Sequence, residues 1–296
     1  MEFYKTIIKN QRMRFKIMRI FNFLPDKMML KLLYRLKTGR KLNLDNPKRY
    51  TEKLQWCKIH YSTPLMSKCS DKFEVREYIQ SKGCANILNE LYGVFSDVNE
   101  IDFNKLPNSF VLKANNGSGT NVFVKDKNSI NIEEVKRELK SWLRPKKGSV
   151  YREMHYCDIE PKIVIEKLLK DNNNPDESIN DYKFLCFNGE AKYVVLDVDR
   201  FSKHKRNIYD TQWNYLGIDT DCRSFGDVVP KPEGLEEMLK VANILSRDFP
   251  AVRVDLYWID GRVYFGEMTF FPWSGFVNFS PDNFDFVMGE KFKLPI

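Results

Sequence analysis

The sequence predicts an α+β fold, in which antiparallel hairpins are combined with amphipathic helices. Two strand-like runs are joined by Asn188-Gly189, and two more by Asp260-Gly261. Both dipeptides favour the tight turns of antiparallel hairpins. Between the hairpins, apolar residues recur at helical spacing from Leu235 to Leu245. Mixed elements of this kind are typical of an α+β protein.

The composition is that of a packed globular protein. Of 296 residues, 43% are hydrophobic and 14% are aromatic, which is enough for a sizeable core and excludes a disordered chain. No apolar run approaches the roughly 18–20 residues that span a bilayer, and basic residues interrupt every apolar stretch before position 40. The six cysteines form no C-x-x-C pair, and the three histidines are far apart. We therefore expect a cytoplasmic protein with reduced thiols and no zinc site.

The positive charge is concentrated at the N-terminus. The net charge is +8, and residues 1–49 hold 14 of the 48 basic residues but only three of the 40 acidic ones. The rest of the chain is slightly acidic. The basic character therefore belongs to one segment and not to a whole nucleic-acid-binding domain.

This basic segment, residues 1–45, is predicted to be helical. Apolar residues have helical spacing from position 3 to 37, with Pro25-Asp26 near a helix start and Gly39 as a stop. Three interpretations remain open: a helical pair packed on the body with a solvated basic face, contact with an anionic membrane or polyanionic substrate, or nucleic-acid binding. No nucleic-acid-binding motif accompanies the charge, so we expect no nucleic-acid partner.

The remaining elements alternate between helices and strands. Predicted helices cover residues 50–56, 70–81, 132–143 and 235–245. Predicted strands cover residues 109–113, 121–125, 162–166, 182–187, 192–198, 252–257 and 263–267.

A candidate phosphate loop follows the strand that ends at Lys113. The ammonium group of Lys113 lies at the end of the strand. Ala114, Asn115 and Asn116 follow, and then Gly117-Ser118-Gly119. A flexible loop of this kind can present converging backbone N–H groups to a polyphosphate. It is not a Walker A loop, because no Gly-Lys-Ser/Thr follows and no helix opens there. An ordinary hairpin turn is the alternative.

A candidate magnesium pair lies on the last predicted hairpin. Strand alternation places Arg253 and Asp255 on one face, and Glu267 on the returning strand can face Asp255. Two carboxylates on rigid strands suit Mg²⁺ held between the protein and ATP oxygens. The alternative is a cross-strand ion-pair cluster centred on Arg253.

Three weaker signals complete the set. The apolar strand ending at Glu166-Lys167 could place backbone groups beside an adenine edge, or it is an ordinary core strand end. Lys183 lies at the start of another strand, where the same two interpretations, a ligand contact or an ordinary strand residue, remain open. A basic stretch suits an anionic acceptor or, alternatively, forms a solvated turn between strands; it comprises Arg200, Lys203, His204, Lys205 and Arg206.

Together, the order of these motifs resembles the ATP-grasp superfamily, and more closely the TupA-like ATP-grasp proteins of bacterial capsule and teichuronopeptide gene clusters. The resemblance covers about residues 45–290. The motifs that carry it are residues 50–56, 71–78, 110–113 with the glycine loop, 181–184, 199–206, 253–255 and 266–269. It implies an ATP-grasp fold of two α+β subdomains that grip ATP, a small one with the glycine lid over residues 108–170 and a C-terminal one with the metal and catalytic residues over residues 171–296. A helical or α+β region over residues 46–107 would connect them to the basic segment.

The resemblance also implies roles for the nucleotide half of the site. It assigns Lys72, Lys113 and Lys183 to the ATP phosphates, and the Gly117-Ser118-Gly119 loop to a lid that closes over the β- and γ-phosphates. The predicted adenine hinge consists of Glu166, Lys167 and Leu169, the last two through backbone groups.

For the metal, the resemblance implies that Asp255 and Glu267 bind Mg²⁺ and that Arg253 stabilises the oxyanion of a tetrahedral intermediate. The usual third ligand is an Asn two residues after the Glu, but Thr269 stands there. A hydroxyl is a poorer ligand than an amide carbonyl, so we expect a second magnesium to be held weakly or through water.

The implied activity is that of an ATP-dependent carboxylate–amine ligase acting through an acylphosphate. It would join an amino acid or amine to a uronic acid or amino sugar of a capsular or cell-wall polysaccharide precursor, with Arg200, His204 and Arg206 binding the anionic sugar. The alternatives are a kinase-like sugar phosphotransferase and an ATP-binding protein associated with glycosyltransferases. Residues 1–40 could bring the protein to the inner membrane face or to a glycosyltransferase complex.

Overall fold

The computed structural model describes residues 21–117, 119–144, 149–172, 174, 177–198, 205–222, 224, 226 and 229–295. The predictions for residues 1–20, Ser118, Arg200 and His204 lie outside these ranges. The helices are α1 (Asp26–Thr38), α2 (Tyr50–His60), α3 (Pro64–Ser70), α4 (Val75–Ser81), α5 (Ile132–Trp142), α6 (Leu235–Ser246) and α7 (Phe284–Lys291). The strands are β1 (Leu91–Phe95), β2 (Phe110–Ala114), β3 (Asn121–Val124), β4 (Ile163–Lys167), β5 (Asp181–Phe187), β6 (Glu190–Val198), β7 (Lys205–Asp210), β8 (Ala251–Ile259) and β9 (Arg262–Thr269).

The smaller sheet has four antiparallel strands in the order β1-β4-β2-β3. Its apolar side chains, including Leu112 and Ile165, form a core with Val135 and Leu139 of α5. The sequence did not predict β1, which pairs with β4 although it lies before the proposed subdomain boundary at residue 108. Its intermediate burial at every position gives no clear alternation, so the strand is defined by its pairing and not by its own pattern.

The larger sheet has five antiparallel strands in the order β7-β6-β5-β8-β9. Both predicted hairpins, β5–β6 and β8–β9, are present, and α6 packs against β5, β6 and β8. Every residue of the central strand β5 is buried. The α+β class is therefore confirmed. The packing of α6 on the sheet and the burial of β5 hold the residues of β5 and β8 in position.

One local prediction was wrong. The helix expected from about Ser70 to Ser81 is interrupted, because α3 ends at Ser70 and α4 begins at Val75. Asp71 causes the break: its Oδ1 accepts the backbone N–H groups of Phe73 at 2.7 Å and Glu74 at 3.2 Å, and such local bonds compete with a helix. For the basic stretch, the sequence left an acceptor site and a solvated turn open; its described residues Lys205 and Arg206 begin β7, an edge strand with mostly buried residues.

Helix α1 is fixed to the body of the protein. It begins after Pro25 and ends at Gly39, as predicted, where the left-handed Gly39 (φ 76°) donates its N–H to the carbonyl of Arg35. Its inner face packs against Leu42, Leu44 and Phe276. The fully buried side chains of this face are Met29, Leu30, Leu33 and Tyr34. For α1, the structure therefore shows a packed helix whose outer face is exposed.

In the described part of the chain, no helix is both long and apolar enough to cross a membrane. The cysteines are reduced thiols, and Cys57, Cys69, Cys84 and Cys186 are buried.

Candidate active site

The site is built where the ends of β2 and β4 face the residues of β5, β8 and β9. On the smaller sheet, Glu166 of β4 forms ion pairs with two cationic side chains. Its Oε2 lies 2.7 Å from Nζ of Lys113, and its Oε1 lies 3.3 Å from Nη1 of Arg76. Arg76 also donates to the carbonyl of Asn89 at 2.9 Å. Glu166 is buried and Lys113 is partly buried, so Glu166 fixes the direction of the lysine ammonium.

The predicted adenine hinge has a defined backbone arrangement. The N–H of Lys167 donates to the carbonyl of Glu90 at 3.0 Å, and its own carbonyl accepts from the side chain of Asn89 at 2.9 Å. The N–H of Lys167 is therefore already engaged, whereas its carbonyl keeps a second lone pair. The prediction that Lys167 and Leu169 read adenine through backbone groups stays a prediction, and for Lys167 it rests on the carbonyl.

Lys72 connects the glycine loop to the larger sheet. Its Nζ donates to the carbonyl of Gly117 and lies 4.0 Å from Oε2 of Glu267. Burial lowers the pKa of Lys72, and the nearby Glu267 opposes this shift. Gly119 has φ 74°, a conformation that glycine adopts without steric cost. The loop, one lysine and one carboxylate thus meet at a single place.

A hydrogen-bonded pair of buried residues, Asp71 and Asn115, lies next to the glycine loop. The Nδ2 of Asn115 donates to Oδ2 of Asp71 at 2.7 Å, and its Oδ1 accepts the N–H of Lys162 at 2.8 Å. Asn115 is fully buried at the end of β2. These bonds tie the end of β2, the start of β4 and the turn before α4 together, and this turn carries Lys72.

On the larger sheet, Asp255 and Glu267 are direct partners in the β8–β9 register, as expected, but only because the register shifts by one residue between Asp255 and Leu256. Arg253 binds both carboxylates: its Nη2 lies 2.6 Å from Oδ2 of Asp255 and 3.1 Å from Oε1 of Glu267. Burial alone would lower the pKa of Arg253, but the two carboxylates raise it overall. The predicted ion-pair cluster therefore exists, and it is compatible with a metal site that uses the same carboxylates.

Lys183 lies at the centre of a buried group of aspartates. It pairs with Asp255 across β5 and β8, and its Nζ lies 3.4 Å from Oδ2 of Asp255 and 3.7 Å from Oδ2 of Asp197. It also contacts Asp181, two residues away on the same face of β5. Burial raises the pKa of Asp255 to about 6, although Arg253 and Lys183 act in the opposite direction. A divalent cation at this place would favour the ionised carboxylate.

Of the basic stretch, Lys205 and Arg206 lie in the described ranges, and Arg206 is buried on β7. Its Nε lies 2.7 Å from Oδ1 of Asp197, and its Nη1 lies 3.1 Å from Oγ1 of Thr220. Its guanidinium also lies 5.3 Å from the ring centre of Trp273. Its assignment to acceptor binding stays a prediction. In this structure the side chain links β7 to the aspartates around Lys183.

The donor set fits magnesium in a nucleotide complex. Asp255 and Glu267 supply carboxylate oxygens, and Oγ1 of Thr269 lies 3.5 Å from Oε1 of Glu267. Within the described ranges, no group of three or more His, Cys, Asp and Glu residues is arranged to hold a metal ion. Magnesium is commonly held by one or two carboxylates together with substrate phosphates and water, so these residues suit an ion that arrives with ATP.

Three residues of the site were missed by sequence reasoning: Arg76, Asp181 and Asp197. The signal for Asp181 was present, since side chains two residues apart on a strand share a face and Asp181 precedes Lys183 by two. Arg76 and Asp197 reach the site only through tertiary contacts, from a helix and from a neighbouring strand.

The turn after β9 is held by helix α2. Trp273 and Ser274 both have positive φ, at 52° and 54°, a conformation that costs energy for residues with a β-carbon. The Nζ of Lys58 donates to the carbonyl of Ser274 at 2.8 Å, and Gln55 donates to that of Gly275 at 2.8 Å. These contacts from α2 keep the strained turn beside the carboxylate strand.

The buried ammonium of Lys58 gives a prediction about stability. Burial lowers its pKa from 10.5 to about 8, although Glu153 acts in the opposite direction. Between these pH values the unfolded chain binds more protons at this site than the folded chain, so the contribution of Lys58 to the unfolding free energy rises with pH. Relative to Lys58→Met, wild-type stability should increase from pH 8 to 10.5 by on the order of 3 kcal/mol.

Urea unfolding of both proteins across this pH range measures the difference. Lys105→Met is the control for the loss of an exposed lysine, because this side chain is 85% exposed and its removal should change stability little. A constant difference between wild type and Lys58→Met would contradict a lowered pKa for Lys58.

Two antiparallel sheets, each packed against a helix, bring lysines, an arginine and a pair of carboxylates together. This arrangement defines an ATP-grasp protein. The profile of the TupA-like ATP-grasp family matches residues 52–293, and the chain belongs to this family. The fold predicted from the resemblance is thereby confirmed.

Solved structures with a similar fold include several ligases. The D-alanine–D-alanine ligase from Bacillus anthracis complexed with ATP is 16% identical, with a TM-score of 0.41, and the match covers 68% of this chain and 55% of that chain. The L-amino acid ligase from Bacillus licheniformis is 16% identical, with a TM-score of 0.45, covering 77% and 48%. The phosphoribosylamine–glycine ligase from Thermotoga maritima is 11% identical, with a TM-score of 0.42, covering 69% and 48%.

This chain therefore spans about half the length of the solved structures that it matches. A search of curated protein sequences found no match.

Proposed function

We propose that the protein is an ATP-dependent carboxylate–amine ligase that acts through an acylphosphate. The observation that carries this proposal is the convergence of Lys72, the glycine loop and Glu267, with Arg253 joining Glu267 to Asp255. Cations aimed at one place can neutralise the charge that develops on a transferring phosphoryl group. This chemistry needs positioning and charge and does not need a nucleophilic side chain of the protein.

Three of the six thiols are too buried to serve as catalytic nucleophiles. Burial raises the pKa of Cys57, Cys69 and Cys186 to about 12, so these side chains are neutral at physiological pH. A thiol is a nucleophile as its thiolate. The reacting nucleophiles would then come from the substrates.

In the proposed reaction, a substrate carboxylate oxygen attacks the γ-phosphorus of ATP, the bond to the β,γ-bridging oxygen breaks, and ADP leaves. The amine then attacks the carbonyl carbon, phosphate leaves, and the nitrogen loses a proton to form the amide. Lys72, Lys113 and Lys183 would bind the phosphates. Arg253 would stabilise the oxyanion of the tetrahedral intermediate.

Asp255 and Glu267, with Thr269 beside them, are the residues proposed to hold Mg²⁺, which would supply charge neutralisation on the phosphate oxygens when bound. Gly117, Ser118 and Gly119 are proposed to form the lid, and Glu166, Lys167 and Leu169 the adenine hinge. The anionic side of the acceptor is assigned to Arg200, His204 and Arg206.

For the substrates, we propose an amino acid or amine and a uronic acid or amino sugar of a capsular or cell-wall polysaccharide precursor. Support for this class comes from the family and from the basic stretch of the sequence. Residues 1–40 would bring the enzyme to the cytoplasmic membrane face or to glycosyltransferases of the same pathway.

The test uses the full chain with ATP, Mg²⁺, amino acids, and uronate or amino-sugar acceptors, with the carboxylate labelled with ¹⁸O. The expected products are ADP, phosphate and an amide, with one ¹⁸O atom transferred from the carboxylate to phosphate. A phosphorylated sugar without an amide would identify a phosphotransferase instead. AMP and pyrophosphate would exclude attack at the γ-phosphate.

A further inference from the structure

The outer face of α1 carries two parallel stripes of different chemistry. Lys27, Lys31 and Arg35 are exposed and follow one another at intervals of four residues. The neighbouring positions one residue later, Met28, Leu32 and Leu36, form an apolar stripe; Met28 is 56% and Leu36 is 40% exposed, whereas Leu32 is half-buried. Residues four apart lie on one face of a helix, so the basic and apolar stripes run side by side along α1.

The apolar stripe is unusual for this surface. Among the described residues, six large hydrophobic side chains are exposed, and three of them lie within α1 and the turn before it: Phe23, Met28 and Leu36. Phe23 is 78% exposed. Apolar side chains that cluster at one place on a surface are typical of an interaction site.

The face is held in a fixed orientation. The opposite side of α1 is buried in the body. At its N-terminal end, Nε of Arg152 lies 2.7 Å from Oδ1 of Asp26, and Nη2 of Arg152 donates to the carbonyl of Leu24 at 2.9 Å. The exposed stripes therefore cannot turn inward without breaking these contacts.

Few acidic groups neutralise the basic stripe. Asp26 is bound to Arg152, and Asp45 lies 3.6 Å from Lys27 in a pair whose side chains are both more than half exposed. Such exposed pairs are weak. Arg35 donates to the carbonyl of Gly39 at 2.7 Å, which leaves its charge unneutralised. The face is thus positive as well as partly apolar.

We infer that this face, Phe23 with the two stripes of α1, binds the surface of an anionic lipid bilayer. Amphipathic helices insert apolar side chains at the boundary between headgroups and acyl chains, while basic side chains contact acidic headgroups. A soluble polyanion would use the charges but not the apolar stripe. A second copy of the chain would place the two basic stripes against each other.

The experiment is co-sedimentation of the full chain with vesicles of phosphatidylglycerol and phosphatidylcholine, compared with phosphatidylcholine alone. Binding is expected only to the anionic vesicles. The triple variant Lys27→Gln/Lys31→Gln/Arg35→Gln should lower the vesicle partition coefficient by about 10- to 100-fold. The variant Phe23→Asn/Met28→Asn/Leu36→Asn should also lower it by at least about 10-fold.

A charge-matched control, Lys105→Gln/Arg137→Gln/Lys140→Gln, removes three exposed cations elsewhere and should leave binding unchanged. Equal binding of wild type and both α1 variants would overturn the inference. Binding of a soluble polyuronate that only the charge variant loses, without vesicle binding, would indicate a polyanion site instead. A concentration-dependent dimer that both α1 variants abolish, without vesicle binding, would indicate a second copy. None of these variants touches the proposed catalytic groups, so the ligase assay is an independent measurement.

Discussion

Replacing Asp255 with asparagine is expected to reduce ATP-dependent turnover by at least about 1000-fold. The carboxylate is proposed to bind Mg²⁺, and a loss of about 4 kcal/mol of transition-state stabilisation corresponds to this factor. The same carboxylate holds Arg253 at 2.6 Å and lies 3.4 Å from the ammonium of Lys183. Its neutralisation therefore disturbs the metal site and the positions of both cations. Steady-state formation of ADP and phosphate, measured as a function of Mg²⁺ concentration, gives the result.

Asp255→Asn is also expected to destabilise the fold. Asp255 is 2% exposed, and removal of one partner from a buried ion pair lowers the free energy of unfolding by about 3–5 kcal/mol. Glu267→Gln separates chemistry from folding, because the side chain of Glu267 is 32% exposed and its loss should disturb the fold less. Glu267→Gln should also lower ATP-dependent turnover, and it should require a higher Mg²⁺ concentration for half-maximal rate. Asp260→Asn, in the turn of the same hairpin, is the matched control and keeps a favoured Asn-Gly turn. Full activity of Glu267→Gln at low Mg²⁺ would show that the metal site is elsewhere.

Replacing Lys113 with methionine is expected to lower kcat/KM for ATP by about 100-fold. A charge-assisted hydrogen bond contributes about 1.5–3 kcal/mol, and an ammonium that binds the transferring phosphates contributes further in the transition state. Methionine keeps most of the length of the side chain but cannot bind Oε2 of Glu166, which keeps its ion pair with Arg76. Initial rates over a range of ATP concentrations separate the effects on kcat and KM.

Lys125→Met is the control for this variant. Lys125 is exposed directly after β3, the strand that pairs with β2, so the change removes the same charge from the same sheet. Its kinetic constants should match those of wild type. If Lys113→Met keeps full activity while its thermal unfolding is normal, the phosphate site has been misplaced.

The sequence was sufficient to name candidate residues for a nucleotide site, and their roles stay predictions. Strand alternation was sufficient to place Arg253 with Asp255 on one face of β8, and the register places Asp255 opposite Glu267. The Asp260-Gly261 turn fixes only the near part of the register, from Ile259–Arg262 to Leu256–Phe265. That register would place Asp255 opposite Gly266, and a one-residue shift between Asp255 and Leu256 places it opposite Glu267 instead. The strand pattern placed Lys113 near the end of β2, which runs from Phe110 to Ala114.

Other parts of the site depend on contacts between distant segments. The Lys113–Glu166 and Arg76–Glu166 pairs join residues 53 and 90 positions apart, and no local pattern encodes such distances. The strand β1 was missed because its partly buried residues lack a clear alternation. The break at Asp71 was missed because side-chain bonds to nearby N–H groups compete with the helical pattern.

By itself, the sequence determined the α+β class, the two hairpins, the helix limits at Pro25 and Gly39, and the candidate residues of an ATP-grasp site. These features depend on local geometry: alternation, turn chemistry and helix capping. Only the tertiary structure decided that Glu166 directs Lys113, that Lys72 joins the glycine loop to Glu267, and that α1 packs one face while exposing two stripes. Burial, charge neutralisation and orientation are properties of segments brought together in space, and the order of residues along the chain specifies them only through the fold.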